Sequence, residues 1–226
     1  ANVICNKLSF YLDPVLGSGY NCQTIVENAD ADAPYFALTP EYTEVTFQNY
    51  PLVGTFFEAH IDVFPAQRYS QLAPDLVNSR LADLQALIAG GMAGSGDLPM
   101  LPAFNAGQVF YSQAAVIQFQ NGRGVRYLTE YAQYTAPINN HDLFYTFQGL
   151  TDDGQFWVSV ILPISNPILP ANGDNPPTGQ SWEDFSNSYE TYLSDITAQL
   201  NLQSPGSFAP TITMLDALIN SIVVQP

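Results

Sequence analysis

Between Val109 and Pro163 apolar and polar positions alternate in short runs, the two-residue period that places successive side chains on opposite faces of a strand. The runs are Val109-Phe110-Tyr111, Ala115 to Phe119, Val125 to Tyr131, Leu143 to Phe147 and Phe156 to Leu162. Asn121-Gly122 and Asp152-Asp153-Gly154 punctuate them as turns. Asn-Gly suits a type I′ hairpin, whose two central residues both take positive φ. The pattern predicts a four-stranded antiparallel meander over about residues 109–163, with one face buried.

Upstream, Leu8, Phe10 and Leu12 alternate until Asp13-Pro14 halts them, which reads as a first strand. Val45 and Phe47 mark a second, Phe57, Ala59, Ile61 and Val63 a third, and Asn49-Tyr50-Pro51 with Val53-Gly54 join them as antiparallel neighbours. Pro74-Asp75 then opens a helical period through Val77, Leu81, Leu84 and Ile88, ended by Gly90-Gly91. Downstream, Pro163 to Gly179 is rich in Pro, Asn, Gly and Asp and reads as an irregular surface loop. Ser181 and Asp184 have capping-box spacing ahead of a helix whose one face carries Tyr189, Tyr192, Leu193, Ile196 and Leu200. A last helix starting near Thr211 or Thr213 buries Ile212, Leu215, Ile219 and Ile222, exposes Asp216, and leads to Val223-Val224 as a final edge strand.

These elements describe an α+β fold, an antiparallel sheet with helices packed against it. The strands before Gly90 carry too few apolar positions to close a core alone. Residues 1–226 are therefore expected to form a single domain, with the Gly/Pro-rich stretch near 90–103 as a crossover between its halves.

Charge narrows the partners. Five Lys plus Arg stand against twenty-one Asp plus Glu, a formal net charge of −16, which repels nucleic-acid phosphates and anionic bilayers. The basic residues are Lys7, Arg68, Arg80, Arg123 and Arg126, and the Arg123/Arg126 pair reads as charge keeping a hairpin edge soluble. No run of eighteen apolar residues occurs, so no transmembrane helix is expected, although a lipid anchor on a precursor is not excluded. Cys5 and Cys22 are the two cysteines: joined in an oxidising compartment they add about 3 kcal/mol, and the alternative is two buried thiols. With an initial Ala in place of Met and a neutral polar, Tyr-rich surface, they point to an extracellular or cell-surface protein whose signal peptide has been removed.

The string Tyr145 to Thr151, then Gly154 and Val158 to Pro163, a helix, and a closing Leu215-Asp216-Ala217 to Ser221-Ile222-Val223 resembles a family of uncharacterised exported proteins and lipoproteins of bacteria, notably of Chloroflexota. Leu8 to Pro14, Pro40-Glu41-Tyr42 and Ile61 to Pro65 resemble it too, so the similarity covers most of the chain. The order of elements is also similar to the Mog1/PsbP-like arrangement. The family implies a location and a fold, and it supplies no catalytic residues.

Candidate chemistry is sparse. His141 beside Asp142 has the composition of a general base, yet no Gly-x-Ser-x-Gly elbow accompanies it, and Asn139 to Asp142 reads equally as an Asx turn preceding a strand. His60 and His141 lie too far apart in sequence to suggest a zinc site, and His60 is expected to face solvent or a polar partner. No cofactor is expected, calcium excepted: Asp152-Asp153, Asn172 to Asn175 with Asp174, and Asp30 with Asp32 offer hard oxygens on loops, without an EF-hand pattern. Tyr35-Phe36, Tyr127, Tyr131, Tyr134 and Trp157 could stack on sugars, or simply fill the core.

Two functions follow as expectations. One is a non-enzymatic exported protein that binds a protein partner or self-assembles at the cell surface, using open sheet edges and the Pro163 to Gly179 loop. The other is a secreted hydrolase or carbohydrate-binding module with a cleft near His141 and Asp142. The two separate on whether those side chains converge with a third polar group in one pocket.

Overall fold

The computed structural model describes residues 1–90 and 96–225. In chain order it contains β1 (Val3–Cys5), β2 (Leu8–Phe10), β3 (Gly19–Ile25), β4 (Tyr42–Gln48), β5 (His60–Pro65), α1 (Ala66–Leu72), α2 (Pro74–Gly90), β6 (Gly107–Phe119), β7 (Gly122–Ala132), β8 (Phe144–Thr151), β9 (Phe156–Pro163), α3 (Trp182–Asn187), α4 (Tyr189–Leu202), α5 (Ile212–Asn220) and β10 (Val223–Val224). The predicted meander is present as β6 to β9, each strand antiparallel to the next. β5 pairs with β9, so strands from both sides of the crossover share one seven-stranded antiparallel sheet in the order β3-β4-β5-β9-β8-β7-β6. Gly91 to Ser95 of that crossover lie outside the described residues.

The meander is not half-exposed as its alternation suggested. Every residue of β8 is buried, because both faces of the sheet are covered. On one face Leu128, Tyr145, Phe147 and Val160 pack with Ile196 and Leu200 of α4, Leu215 and Ile219 of α5, and the small sheet β1-β2-β10. On the other, Phe64, Val125, Tyr127 and Trp157 meet Tyr69 of α1 and Val77 and Leu84 of α2. Burying one Leu- or Phe-sized side chain contributes about 1.5–3 kcal/mol, so the two layers supply most of the driving force.

Several local expectations shift by a residue or two. Val109-Phe110-Tyr111 and Ala115 to Phe119 are one strand interrupted by a bulge, with a register shift between Ser112 and Ala115 and Gln113 at φ 53°. Gln113 earns that conformation through its side chain, whose Nε2 donates to the C-terminal carbonyls of Leu200 (2.7 Å) and Gln203 (2.9 Å) beside α4. The Asn121-Gly122 hairpin has Gln120 and Asn121 as its two loop residues, and neither takes positive φ, so its turn is not type I′. Gly122 is in β7 for a different reason: a methyl there would overlap the Phe119 ring and the Leu150 carbonyl oxygen. Asn121 instead clasps the C-terminus, accepting from Val224 N–H at 3.1 Å and donating to its carbonyl at 2.6 Å. Gly154 does take positive φ, at 70°, as its turn requires.

The helices start where their caps predict. Ser181 accepts from the Asp184 amide and Thr211 from the Met214 amide. The segment after Ser181 is two helices, broken at Ser188, whose hydroxyl turns back to the Asp184 carbonyl. α1 and β3 carry no clear apolar period and were not predicted; β3 is an exposed edge strand, joined to β1 by the Cys5–Cys22 disulfide with Cα atoms 5.7 Å apart. The opposite edge, β6, is partly closed by Asn201, which accepts from Gln113 N–H, and by the Ile222 carbonyl, which accepts from Gln120 N–H.

Two charges predicted to face water do not. Arg126 lies under α5 with its side chain 11% exposed, its Nε 3.2 Å from Asp216 Oδ1, and the Tyr145 hydroxyl donates to the same oxygen at 2.8 Å. Asp216 is correspondingly half-buried, whereas Arg123 is exposed.

Candidate functional site

Where β7 runs past the start of β8, the strand loses its partner and the chain from Gln133 to Leu143 crosses the gap. Glu130 takes over the missing pairing: its Oε1 accepts the Asn139 N–H at 2.7 Å. Asn139 then organises the loop as an Asx turn, its Oδ1 accepting from the amides of His141 (3.0 Å) and Asp142 (3.1 Å) and its Nδ2 donating to Asp142 Oδ2 at 2.9 Å. Tyr189 O–H donates to the Ala136 carbonyl at 3.2 Å, and the Tyr192 hydroxyl accepts from Ile138 N–H at 2.9 Å, so α4 anchors the same loop. The loop between β4 and β5 joins it through Phe56 N–H and the His141 carbonyl, 2.8 Å apart.

These ties leave a cavity of about 230 Å³. Its aromatic walls are Phe56, Phe57, Tyr131, Tyr134 and Tyr189, and its carboxyl groups are Glu130 and Asp142. The walls are braced from behind: Phe57 packs edge-on against Phe144, and Phe104 against Tyr131. Phe56 (65% exposed) and Tyr134 (71%) stand at the mouth. Glu130 is 4% exposed, and burial pushes its carboxyl well above the usual carboxylate range; the Asn139 N–H pulls it down in part and the nearby Asp142 charge raises it further. Among the described residues no donor is placed on its second oxygen.

His141 and Asp142 are in contact, with Nδ1 2.6 Å from Oδ1. Asp142 lines the cavity, whereas His141 is outside its lining and 43% exposed. No Ser, Thr or Cys lines it among the described residues. Of the aromatic residues considered for stacking, Tyr131 and Tyr134 are in the cavity. Tyr127 and Trp157 are buried on the α2 side, donating to the Pro99 carbonyl and to Gln148 Oε1, and Tyr35 and Phe36 pack against each other in a short helical turn. Asp152 and Asp153 share the exposed β8–β9 turn and Asp174 is in a separate exposed loop; Asp153 accepts from Thr151 O–H (2.6 Å) and Gln155 N–H (3.0 Å), which hold its carboxyl below the usual range. No group of three His, Cys, Asp or Glu suited to a metal ion occurs among the described residues. Glu130, Phe56, Phe57 and Tyr189 escaped the sequence reading. The available signal was Glu130 itself, a carboxyl on the same strand face as buried Leu128.

A second buried acid is outside the cavity lining. Asp62 of β5 is 2% exposed, 3.8 Å from His60 Nε2 through one oxygen, and among the described residues its Oδ1 has no hydrogen-bond partner, like the nearby Tyr69 hydroxyl. Burial drives its carboxyl well above the usual range, with the Glu44 charge adding to the effect, and burial also lowers His60. His60 thus meets a polar partner, its Nδ1 2.8 Å from the Glu58 carbonyl.

Comparison with protein-family models, curated proteins and solved structures returns no match.

Proposed function

We propose that this protein is an exported binding domain whose ligand seats in the cavity between the β4–β5 loop, the end of β7 and the start of α4. The observation that carries this reading is the preformed aromatic recess with two carboxyl groups at its wall and two exposed rings at its mouth. Ligand sites are concave, mostly apolar, and carry a few fixed polar groups, and this recess has that character. Export is supported by the Cys5–Cys22 disulfide and by the absence, among the described residues, of any helix long and apolar enough to cross a membrane. The resemblance to exported bacterial proteins and the Mog1/PsbP-like arrangement belongs to the same proposal, supported by an antiparallel sheet flanked by helices. Self-assembly, if it accompanies binding, would use the open β3 edge.

The hydrolase alternative draws less support. His141 is outside the lining of the recess, its Nδ1 is engaged by Asp142, and no Ser, Thr or Cys is in that lining among the described residues. A thermal-shift screen of small molecules against the native chain and Tyr134→Ser tests the reading. Compounds that raise the melting temperature of the native chain and not of the variant are the expected result. Turnover of nitrophenyl glycosides or esters that disappears in Asp142→Asn would overturn it.

A further inference from the structure

We propose that the cavity is a seat for an organic ammonium group, quaternary or primary, held by its aromatic rings and by the carboxyl groups of Glu130 and Asp142. This deepens the binding reading and rests on the cavity being the ligand site.

The charge of the lining is one-signed. Both ionisable acids carry carboxyl groups, and none of the five basic residues of the chain lines the recess. Lys7 lies over the Phe156 ring, Arg68 pairs with Glu27, Arg80 lies beside Asp83, Arg126 pairs with Asp216, and Arg123 lines a separate surface cleft with Asp152. A phosphate or carboxylate ligand would therefore meet no cationic side chain there. Of the hydrogen-bonding groups, Tyr189 O–H donates to the Ala136 carbonyl, the Gln133 amide donates to the Asn105 carbonyl, and the Tyr131 hydroxyl accepts from Gln108 Nε2. Glu130 and Asp142 bring four carboxyl oxygens to the lining: His141 and Asn139 bond those of Asp142, Asn139 N–H bonds one of Glu130, and the other Glu130 oxygen has no donor among the described residues. An ammonium group needs no donor from the protein and is attracted by acceptor oxygens.

Aromatic rings complete the match. A cation against an aromatic face gains about 0.5–1 kcal/mol when exposed and about 2 when desolvated, and aromatic cages with an acid are how alkylammonium groups are recognised. Glu130 is the buried anchor. A cation favours its ionised form, so binding expels a proton from Glu130, and the other titratable groups facing it are Asp142 from the loop before β8 and Tyr189 and Tyr192 from α4. His141, bonded to Asp142, is the further group that can modulate the charge there.

Isothermal titration of the whole chain with choline and with its neutral isostere 3,3-dimethyl-1-butanol tests this. The expected result is choline binding at least about tenfold tighter than the isostere, a difference of roughly 1.4 kcal/mol, with the preference growing as pH rises and Glu130 ionises. Glu130→Gln keeps an acceptor for Asn139 N–H and should abolish the preference; Asp142→Asn provides the same readout if circular dichroism shows the first variant to be misfolded. Equal binding of choline and isostere overturns the inference. So does binding of methyl glycosides without choline, provided Tyr134→Ala abolishes it, and in that case the binding-domain reading stands. If no choline, alkylamine or glycoside binds at about 50 mM, weaker than any functional affinity, both readings fall.

Discussion

Removing the Asp216 carboxylate should cost far more than its position on a surface helix suggests. Asp216 Oδ1 receives the Tyr145 O–H at 2.8 Å and lies 3.2 Å from Arg126 Nε, whose side chain is 11% exposed against 24% for Asp216. The Nε–H does not point along a hydrogen bond, and Nη1 has no hydrogen-bond partner among the described residues, so Asp216 is the principal neutraliser of a guanidinium enclosed between β7, β8 and α5. Breaking a fully buried pair costs about 3–5 kcal/mol because the surviving charge is stranded. Partial solvent access lowers this, so Asp216→Ala should lose about 2–3 kcal/mol, of which about 1 belongs to the Tyr145 hydrogen bond. Arg126→Met in the same chain removes the stranded charge and should restore at least about 1 kcal/mol. Urea unfolding at equilibrium, with a common slope, measures all three. A loss under about 0.5 kcal/mol for Asp216→Ala, or a double variant no more stable than the single one, would refute the reasoning.

Asp62→Asn should stabilise the fold in alkaline solution and leave it nearly unchanged in acid. The raised folded-state pKa of Asp62 means its contribution to stability is fully present below its unfolded value of about 4 and is lost as pH rises through the folded value, so urea midpoints equal at both ends would contradict it. Replacing Cys5 and Cys22 together by Ser should lower stability by about 3 kcal/mol, read by urea unfolding, while the far-ultraviolet dichroism of the folded chain is retained. Gly124→Ala should destabilise by several kcal/mol, about 3 or more, because its methyl meets the Gln148 carbonyl oxygen and the Gly149 Cα across the β7–β8 ladder; a melting temperature within error of the native one would show that the strands can part. Gln113→Gly should be less destabilising than Gln113→Ala by about 1 kcal/mol, since both lose the bonds to the Leu200 and Gln203 carbonyls while only Gly relaxes at φ 53°; equal thermal midpoints would argue against strain at the bulge.

Local chemistry was legible in the sequence where one residue acts on its near neighbours. Ser181 and Thr211 marked helix starts, Gly154 marked a turn, and alternation from Val125 to Leu162 marked the strands of the meander. Each follows from backbone geometry within a few residues. Only the tertiary structure decided what meets across the chain. It covered the second face of β8 largely with Met100 and Leu101 of the crossover, and placed Arg126 against Asp216, ninety positions away. It also used Asn121 to clasp Val224 rather than to make a type I′ turn, and buried Glu130 where a loop replaces a lost strand partner. Periodicity reports which side of an element is dry. Which polar groups share that dry space, and hence which of them can hold a ligand, is set by packing between elements distant in sequence, where a carboxyl and its partner carry no mutual signal along the chain.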